Sequence, residues 1–241
     1  MLQNEIPLLL GKYKSIWQLL LEFPMEFKNV YWTHILENLI PLFRKDTFCK
    51  LVSNKNYYPQ KTHNCRYYIK PNAGSCGKGI TIVNEFLTQI PENHTAVAEI
   101  IPPMITINKE KYKYDYRIWI GICSDMRYFI CPTFIKRISC VPFDISLCYG
   151  SLTNTSLYSE QFNCKNDVLY EKANAIVKDV ICLLPNLEME TNNLAKVMLT
   201  GWDFIEDTNN NLYVLEVNCN PSLNILHHEV MEEFLGWICS V

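Results

Sequence analysis

The 241-residue chain of 28.2 kDa is long enough for one large domain or two interlocked lobes. Its 49% hydrophobic and 20% charged residues supply a sizeable core and exclude whole-chain disorder, while 8 Gly and 12 Pro exclude collagen-like or linker-dominated organisation. A formal net charge of -3 and a pI near 6.0 exclude a global electrostatic pull toward nucleic acid, so any basic patch has to be local.

Residues 1–45 read as helical, with apolar clusters at Ile16–Leu21 and Ile35–Ile40, broken at Pro24 and Pro41. From Arg66 the pattern changes to short β-rich runs. Residues 66–70 and 79–83 predict two strands joined by a polar, glycine-bearing loop, which makes a hairpin. Further strands are expected at 95–101, 116–123, 127–136, 201–206 and 212–218, the last two joined by a turn at Asn209–Asn211. The apolar spacing Leu169, Ala173, Ile176, Val177, Val180, Ile181, Leu184 predicts a helix over 167–184, and a second helix is expected over 225–238. The expected class is α+β with antiparallel sheets, divided near residue 65 into a helical amino-terminal region (1–65) and a main domain (66–241).

Eleven cysteines, an odd number with no C-x-x-C pair, read as reduced thiols rather than a disulfide framework or zinc site. No apolar stretch approaches the roughly 20 residues of a membrane helix, and Met1–Leu10 lacks the basic start and apolar core of a signal peptide. The expectation is a cytoplasmic chain that engages neither membrane nor nucleic acid. On that reading the N-x-[ST] sequons at Asn93 and Asn154 are chance matches.

Three stations carry chemistry. In Gly74-Ser75-Cys76-Gly77-Lys78-Gly79, glycines let backbone N–H groups approach an anion and Lys78 adds a point charge. A strand follows it, so it is neither a Walker A loop nor a dinucleotide fingerprint. By itself such a segment is more often a plain hairpin turn, and a lysine at a strand end, as Lys70 is, is usually just solvated. Asp203, Glu216 and Asn218 lie on two strands flanking a turn, and period-2 alternation puts Glu216 and Asn218 on one face. Two carboxylates and an amide oxygen are a hard-ligand set suited to Mg²⁺ held together with phosphates, with an outward polar face as the bland alternative. Lys111, Lys113, Asp115 and Arg117 alternate toward one face, and Arg137 ends a later strand. A guanidinium such as Arg117 suits phosphate or carboxylate oxygens, and Asp115 two residues earlier is placed either to accept ribose hydroxyls or to pair with Arg117. No role falls to His34, His63, His94, His227 or His228.

In this order the residues resemble the ATP-grasp superfamily and, within it, the tubulin–tyrosine ligase-like family. The resemblance spans about residues 66–226. It rests on Lys70-Pro71 with Gly77-Lys78-Gly79-Ile80, on Asp115-Tyr116-Arg117-Ile118, on Leu152-Thr153-Asn154, on Gly201-Trp202-Asp203-Phe204 and on Leu215-Glu216-Val217-Asn218. It implies an ATP- and Mg²⁺-dependent carboxylate–amine ligase, Mn²⁺ being an alternative ion, that activates a carboxylate as an acyl phosphate. A free amino acid is then joined to a protein acceptor, tubulin being the family default, by a monomeric, cytoplasmic, cytoskeleton-associated enzyme.

The resemblance also implies roles. Lys70, Gly77, Lys78 and Gly79 hold nucleotide phosphates, and Ala98, Glu99, Ile100 and Ile101 form a hinge against adenine. Lys113 and Asp115 face the ribose, while Thr153 and Asn154 reach ribose or terminal phosphate. Arg117 and Arg137 are the catalytic pair, acting on developing phosphate charge and on the carboxylate or tetrahedral intermediate. Asp203, Glu216 and Asn218 ligate the metal. The chain departs from the family pattern at Cys76, at Ser151, and at Glu99, where lysine is frequent. Two other readings stay open, a ligase with a small-molecule acceptor and an ATP-binding regulator without turnover.

Overall fold

The computed structural model describes residues 25–26, 30–32, 36–59, 66–73, 79–83, 89–139, 142–143, 158–185, 195–219, 221 and 228–240. The class is α+β, and nearly all strand pairing is antiparallel. Strands β3 (Tyr67–Pro71), β4 (Thr81–Val83) and β5 (His94–Ala98) form a three-stranded sheet in the order β4-β3-β5. The β3–β4 pairing Tyr67↔Val83 to Ile69↔Thr81 is the antiparallel pair expected at 66–70 and 79–83.

The larger sheet is built on β8 (Tyr114–Cys123), β10 (Phe134–Ser139), β11 (Tyr158–Cys164), β12 (Ala195–Glu206) and β13 (Leu212–Cys219). Two short strands, β1 (Met25–Glu26) and β2 (Val30–Trp32), extend it, and β2 pairs with β12 in parallel. Where 127–136 read as one strand, there are two, β9 (Tyr128–Ile130) and β10, separated by Cys131-Pro132-Thr133. Pro132 has no N–H to donate to a ladder, so pairing stops there. Between β5 and β8 sits a small ribbon, β6 (Ile105–Ile107) and β7 (Glu110–Tyr112). Asn108 and Lys109 both turn at positive φ, 51° and 71°, the geometry of a two-residue hairpin loop.

One face of the large sheet is apolar. Tyr114, Tyr116, Ile118, Trp202, Phe204 and Val214 share a core with helix α3 (Asp167–Ile181). Helix α3 starts where expected because Asn166 caps it, its side chain accepting from Leu169 N–H at 3.0 Å. The expectation of helix throughout 1–45 is corrected for its described residues: β1 and β2 are strands, and the helices are α1 (Ile40–Phe43) and α2 (Lys45–Leu51). Pro41 stands in the first turn of α1, where its missing N–H costs nothing. Leu36, Leu39, Leu42, Phe48, Val52 and Tyr58 join the same core as α3 and the sheet, so residues 36–58 and the strands beyond residue 66 share one interior. Segment α1 packs against β13. The carboxy-terminal helix α4 (His228–Ser240) lies over β8, where Gly121 leaves the space that Phe234 and Trp237 fill.

Candidate functional site

Register builds the site on the sheet's polar face. Arg117 on β8 pairs with Asp203 on β12, and Asp203 pairs with Glu216 on β13. Arg137 on β10 lies opposite Asp115 on β8, two residues from Arg117 and therefore on the same face. A bulge at Leu215 resets the alternation, so that Glu216 pairs with Asp203 and Val214 with Phe204. The extra residue aims Glu216 and Asn218 at the polar face while Val214 and Val217 stay in the core. Gly201 makes room for the next contact, since a Cβ there would lie 2.7 Å from Pro221 Cβ and 3.3 Å from Arg117 Cδ.

The charged groups form a ladder. Arg117 grips Asp203 with both ends of its fork, Nε to Oδ1 at 2.5 Å and Nη2 to Oδ2 at 2.7 Å. Arg137 does the same to Asp115 at 2.6 and 2.7 Å, and its Nη2 also reaches Asp203 Oδ1 at 3.1 Å. Burial works against Asp203 ionising, but Arg117 and Arg137 outweigh it and hold the carboxyl below the usual range. Asp115 therefore partners Arg137, where the sequence left ribose hydroxyls or Arg117 as its alternatives. Asn218 Nδ2 lies 3.4 Å from both Asp203 Oδ2 and Glu216 Oε1, so the three expected metal ligands converge. That set has the hard-oxygen chemistry of Mg²⁺, but supplies too few oxygens for six-coordination, leaving positions for phosphate and water. Among the described residues no cluster of three His, Cys, Asp or Glu side chains offers a metal site.

Two lysines complete this end. Lys70 is buried on β3, and Lys45, at the first turn of α2, places its ammonium 3.7 Å from Glu216 Oε2. Burial pushes the Lys70 pKa down; Glu216 pulls it back up, and Lys45 pushes it down further. The Lys70 ammonium makes no side-chain hydrogen bond or ion pair among the described residues, and it lies over the Tyr68 ring, 5.8 Å from its centroid. Four cations, Lys45, Lys70, Arg117 and Arg137, thus face three carboxylates, Asp115, Asp203 and Glu216. Asn72 holds Lys45 and Lys70 in relation: its carbonyl accepts Lys45 N–H at 3.3 Å, and its Oδ1 accepts Thr95 Oγ1 at 2.6 Å.

At the hinge expected over Ala98–Ile101, Glu99 is the centre of a second cluster. It accepts from Arg66 Nε and Nη2 at 2.6 and 2.7 Å, from Tyr68 Oη at 2.8 Å, and from Lys113 Nζ at 2.5 Å. Burial raises its pKa, yet the Arg66 and Lys113 contacts overcome that and hold it at about 2. Lys113 is thereby committed to Glu99. Ala98, Glu99 and Ile100 also border a cavity of about 840 Å³ that opens between the 56–59 segment, α3 and the 210–213 turn. This cavity does not include the charge ladder.

Of the remaining expected residues, Gly79 lies at φ +73°, where a Cβ would press on Pro71 at 3.0 Å, so the loop's return into β4 requires glycine. Gly77, Lys78, Thr153 and Asn154 lie outside the described residues. Sequence reasoning passed over Lys45, Arg66, Tyr58 and Tyr68. Lys45 sits in an ordinary basic-acidic helix start, Arg44-Lys45-Asp46, and nothing in its spacing ties it to Glu216, 171 positions away. Arg66 could have been found from Glu99, since an acid among apolar hinge residues demands a buried cation. No protein-family model matches the chain, and no curated protein matches it.

Proposed function

We propose that the chain is an ATP- and Mg²⁺-dependent carboxylate–amine ligase of the ATP-grasp type, joining an amino acid to a protein acceptor as tubulin–tyrosine ligase-like enzymes do. The observation that carries this reading is Lys70, a buried ammonium that makes no ion pair among the described residues, in a cluster of four cations and three carboxylates. An uncompensated buried charge costs several kcal/mol. A triphosphate offsets that cost with anionic oxygens, and the Gly77-Lys78-Gly79 loop beginning beyond β3 adds donors of the same kind.

In the reaction, an acceptor carboxylate oxygen attacks the terminal phosphorus of ATP, and the bond from that phosphorus to the bridging oxygen of ADP breaks. The amine nitrogen of the second substrate then attacks the acyl carbon. The C–O bond to phosphate breaks with its electron pair, and the nitrogen loses a proton to leave an amide, ADP and phosphate. Lys70, with Lys45 beside it, binds phosphate, while Arg117 and Arg137, held in place by Asp203 and Asp115, present fixed positive charge where negative charge develops. Asp203, Glu216 and Asn218 would hold Mg²⁺, or Mn²⁺, which supplies further charge neutralisation when bound. On this reading Ala98–Ile101 would border the base and Thr153 and Asn154 the ribose side, while Lys113 stays engaged with Glu99 and Asp115 with Arg137. The setting is cytoplasmic and cytoskeleton-associated, with a monomeric enzyme.

The test is intact-mass analysis of tubulin incubated with the protein, Mg-ATP and a mixture of tyrosine, glutamate and glycine, beside Glu216→Gln. A mass increment with the wild type alone is expected, and its size names the amino acid. ADP release that needs Glu216 without any increment moves the acceptor to another protein or a small molecule. Neither signal would leave a nucleotide-binding regulator or no nucleotide function at all.

A further inference from the structure

Arg117 and Arg137 look alike in the ladder and are held by different kinds of partner. Arg137 gives both arms of its fork to Asp115, at 2.6 and 2.7 Å, and its side chain is 2% exposed. Asp115 is no part of the metal set, so a cation on that set does not compete for this grip. Arg117 gives both arms to Asp203, at 2.5 and 2.7 Å, and its side chain is 10% exposed. Asp203 is one of the three residues read as metal ligands, and its oxygens are full. Oδ1 accepts from Arg117 Nε and from Arg137 Nη2, the latter at 3.1 Å; Oδ2 accepts from Arg117 Nη2 and faces Asn218 Nδ2 at 3.4 Å. A carboxylate has about four lone-pair sites, and on Asp203 each one has a donor against it.

The other two ligands are arranged in the same sense. Asn218 turns its Nδ2 toward Glu216 Oε1 as well, at 3.4 Å, and Lys45 Nζ lies 3.7 Å from Glu216 Oε2. Donors thus stand where a cation would. Mg²⁺ takes oxygen at about 2.0–2.1 Å, so on Asp203 Oδ2 it would come within about 5 Å of Arg117 Nη2, with both on one oxygen. Like charges that close in a buried setting repel strongly. We propose that Arg117 is the exchangeable cation of the ladder: the divalent ion takes its place on Asp203, and its guanidinium turns to the phosphate oxygens, while Arg137 stays on Asp115. Arg117 is then delivered to the substrate only once the metal is present, which ties a catalytic charge to the loading of the site. Gly201 leaves space beside the arginine stem, since a Cβ there would lie 3.3 Å from Arg117 Cδ. The inference rests on the metal reading above.

The experiment uses the full chain with its five arginines labelled with nitrogen-15. Each arginine Nε–H is followed by magnetic resonance, after assignment through the backbone, as Mg²⁺ is added with and without a non-hydrolysable ATP analogue. In both series the Arg117 signal is expected to leave its carboxylate-bonded position along the Mg²⁺ binding curve, and the Arg137 signal to stay. The analogue alone is expected to move neither. This arm needs no variant, so it decides even where a substitution fails to fold. Mn²⁺ affinity without analogue, read by electron paramagnetic resonance, is expected to tighten about 5-fold or more in Arg117→Gln, the lower end of a typical coupling. An Arg117 signal that stays while Mg²⁺ binds, or that moves with the analogue alone, would overturn the exchange and leave the metal site standing. Weaker Mn²⁺ binding in Arg117→Gln would do the same, making Arg117 a fixed support of Asp203. A wild-type chain that binds neither ion, with or without the analogue, would overturn the metal reading and this inference with it.

Discussion

The two buried charge clusters use the same residue types and are finished to different degrees. Around Glu99, one carboxylate receives four hydrogen bonds from Arg66, Tyr68 and Lys113. Around Lys70, four cations meet three carboxylates among the described residues, and the Lys70 ammonium makes no ion pair with them. Tyr68 stands between them, its ring 5.8 Å from Lys70 Nζ and 6.0 Å from Lys113 Nζ. A saturated cluster holds the fold and has little left with which to bind, whereas an unsaturated one loses stability in the free protein and gains it with a ligand. The comparison teaches that burial alone does not mark a site; missing partners do.

The largest expected effect is at the saturated end. Glu99→Ala removes the buried carboxylate that accepts from Arg66, Tyr68 and Lys113 and should cost about 3–5 kcal/mol in urea unfolding. The acid limb follows from the same group. The folded pKa of Glu99 is about 2 against an ordinary 4.5, so its stabilisation is complete above pH 4.5 and is lost as pH falls from there toward 2. Glu99→Gln should flatten that part of the stability–pH curve. An unaltered acid limb would show that the cluster does not carry the hinge.

Lys70→Met should do the reverse. It removes a buried charge that makes no ion pair among the described residues, so thermal stability near neutral pH should hold or rise. Affinity for a non-hydrolysable ATP analogue should fall about 10–100-fold, the range for one charge-assisted hydrogen bond. Loss of stability together with retained affinity would erase the distinction between the two clusters.

Much of this was readable in the sequence, for definable reasons. Helix α3 follows from seven apolar residues at helical spacing, and the β3–β4 pair follows from two β-rich runs around glycines. Asp203, Glu216 and Asn218 were legible as a face because period-2 alternation acts within one strand, although only the bulge at Leu215 brings Glu216 opposite Asp203. Pairings between distant strands were not legible. Alternation put Asp115 and Arg117 on one face and made their pairing look natural, but side by side on one strand they face outward together, and each finds its partner across the ladder at Arg137 or Asp203. Lys45 was hidden for a similar reason. It reaches the site because α1 packs against β13, a contact between segments far apart in the chain that no local pattern encodes.

Lys45 also gives the finest test of the unsaturated cluster. Its ion pair with Glu216, at 3.7 Å and partly exposed, should be worth about 0–1 kcal/mol, so Lys45→Met should barely move stability. Its effect on Lys70 has a definite sign. Lys70 already titrates below the ordinary 10.5 through burial, with Glu216, Asp203 and Asp115 drawing its pKa up and Lys45 drawing it down. A lysine depressed in the folded state costs stability below its folded pKa, and that cost is relieved as pH rises through the folded value toward 10.5. Phosphate binds the protonated ammonium, so analogue affinity should fall as pH climbs through the same folded value. Removing Lys45 takes away a like charge and should move that alkaline fall to higher pH, by about one unit or less, whatever happens to the affinity itself. Calorimetric titrations across the alkaline range would read the midpoint directly. A midpoint that stays in place, or moves down, would mean that Lys45 and Lys70 do not act on one anion.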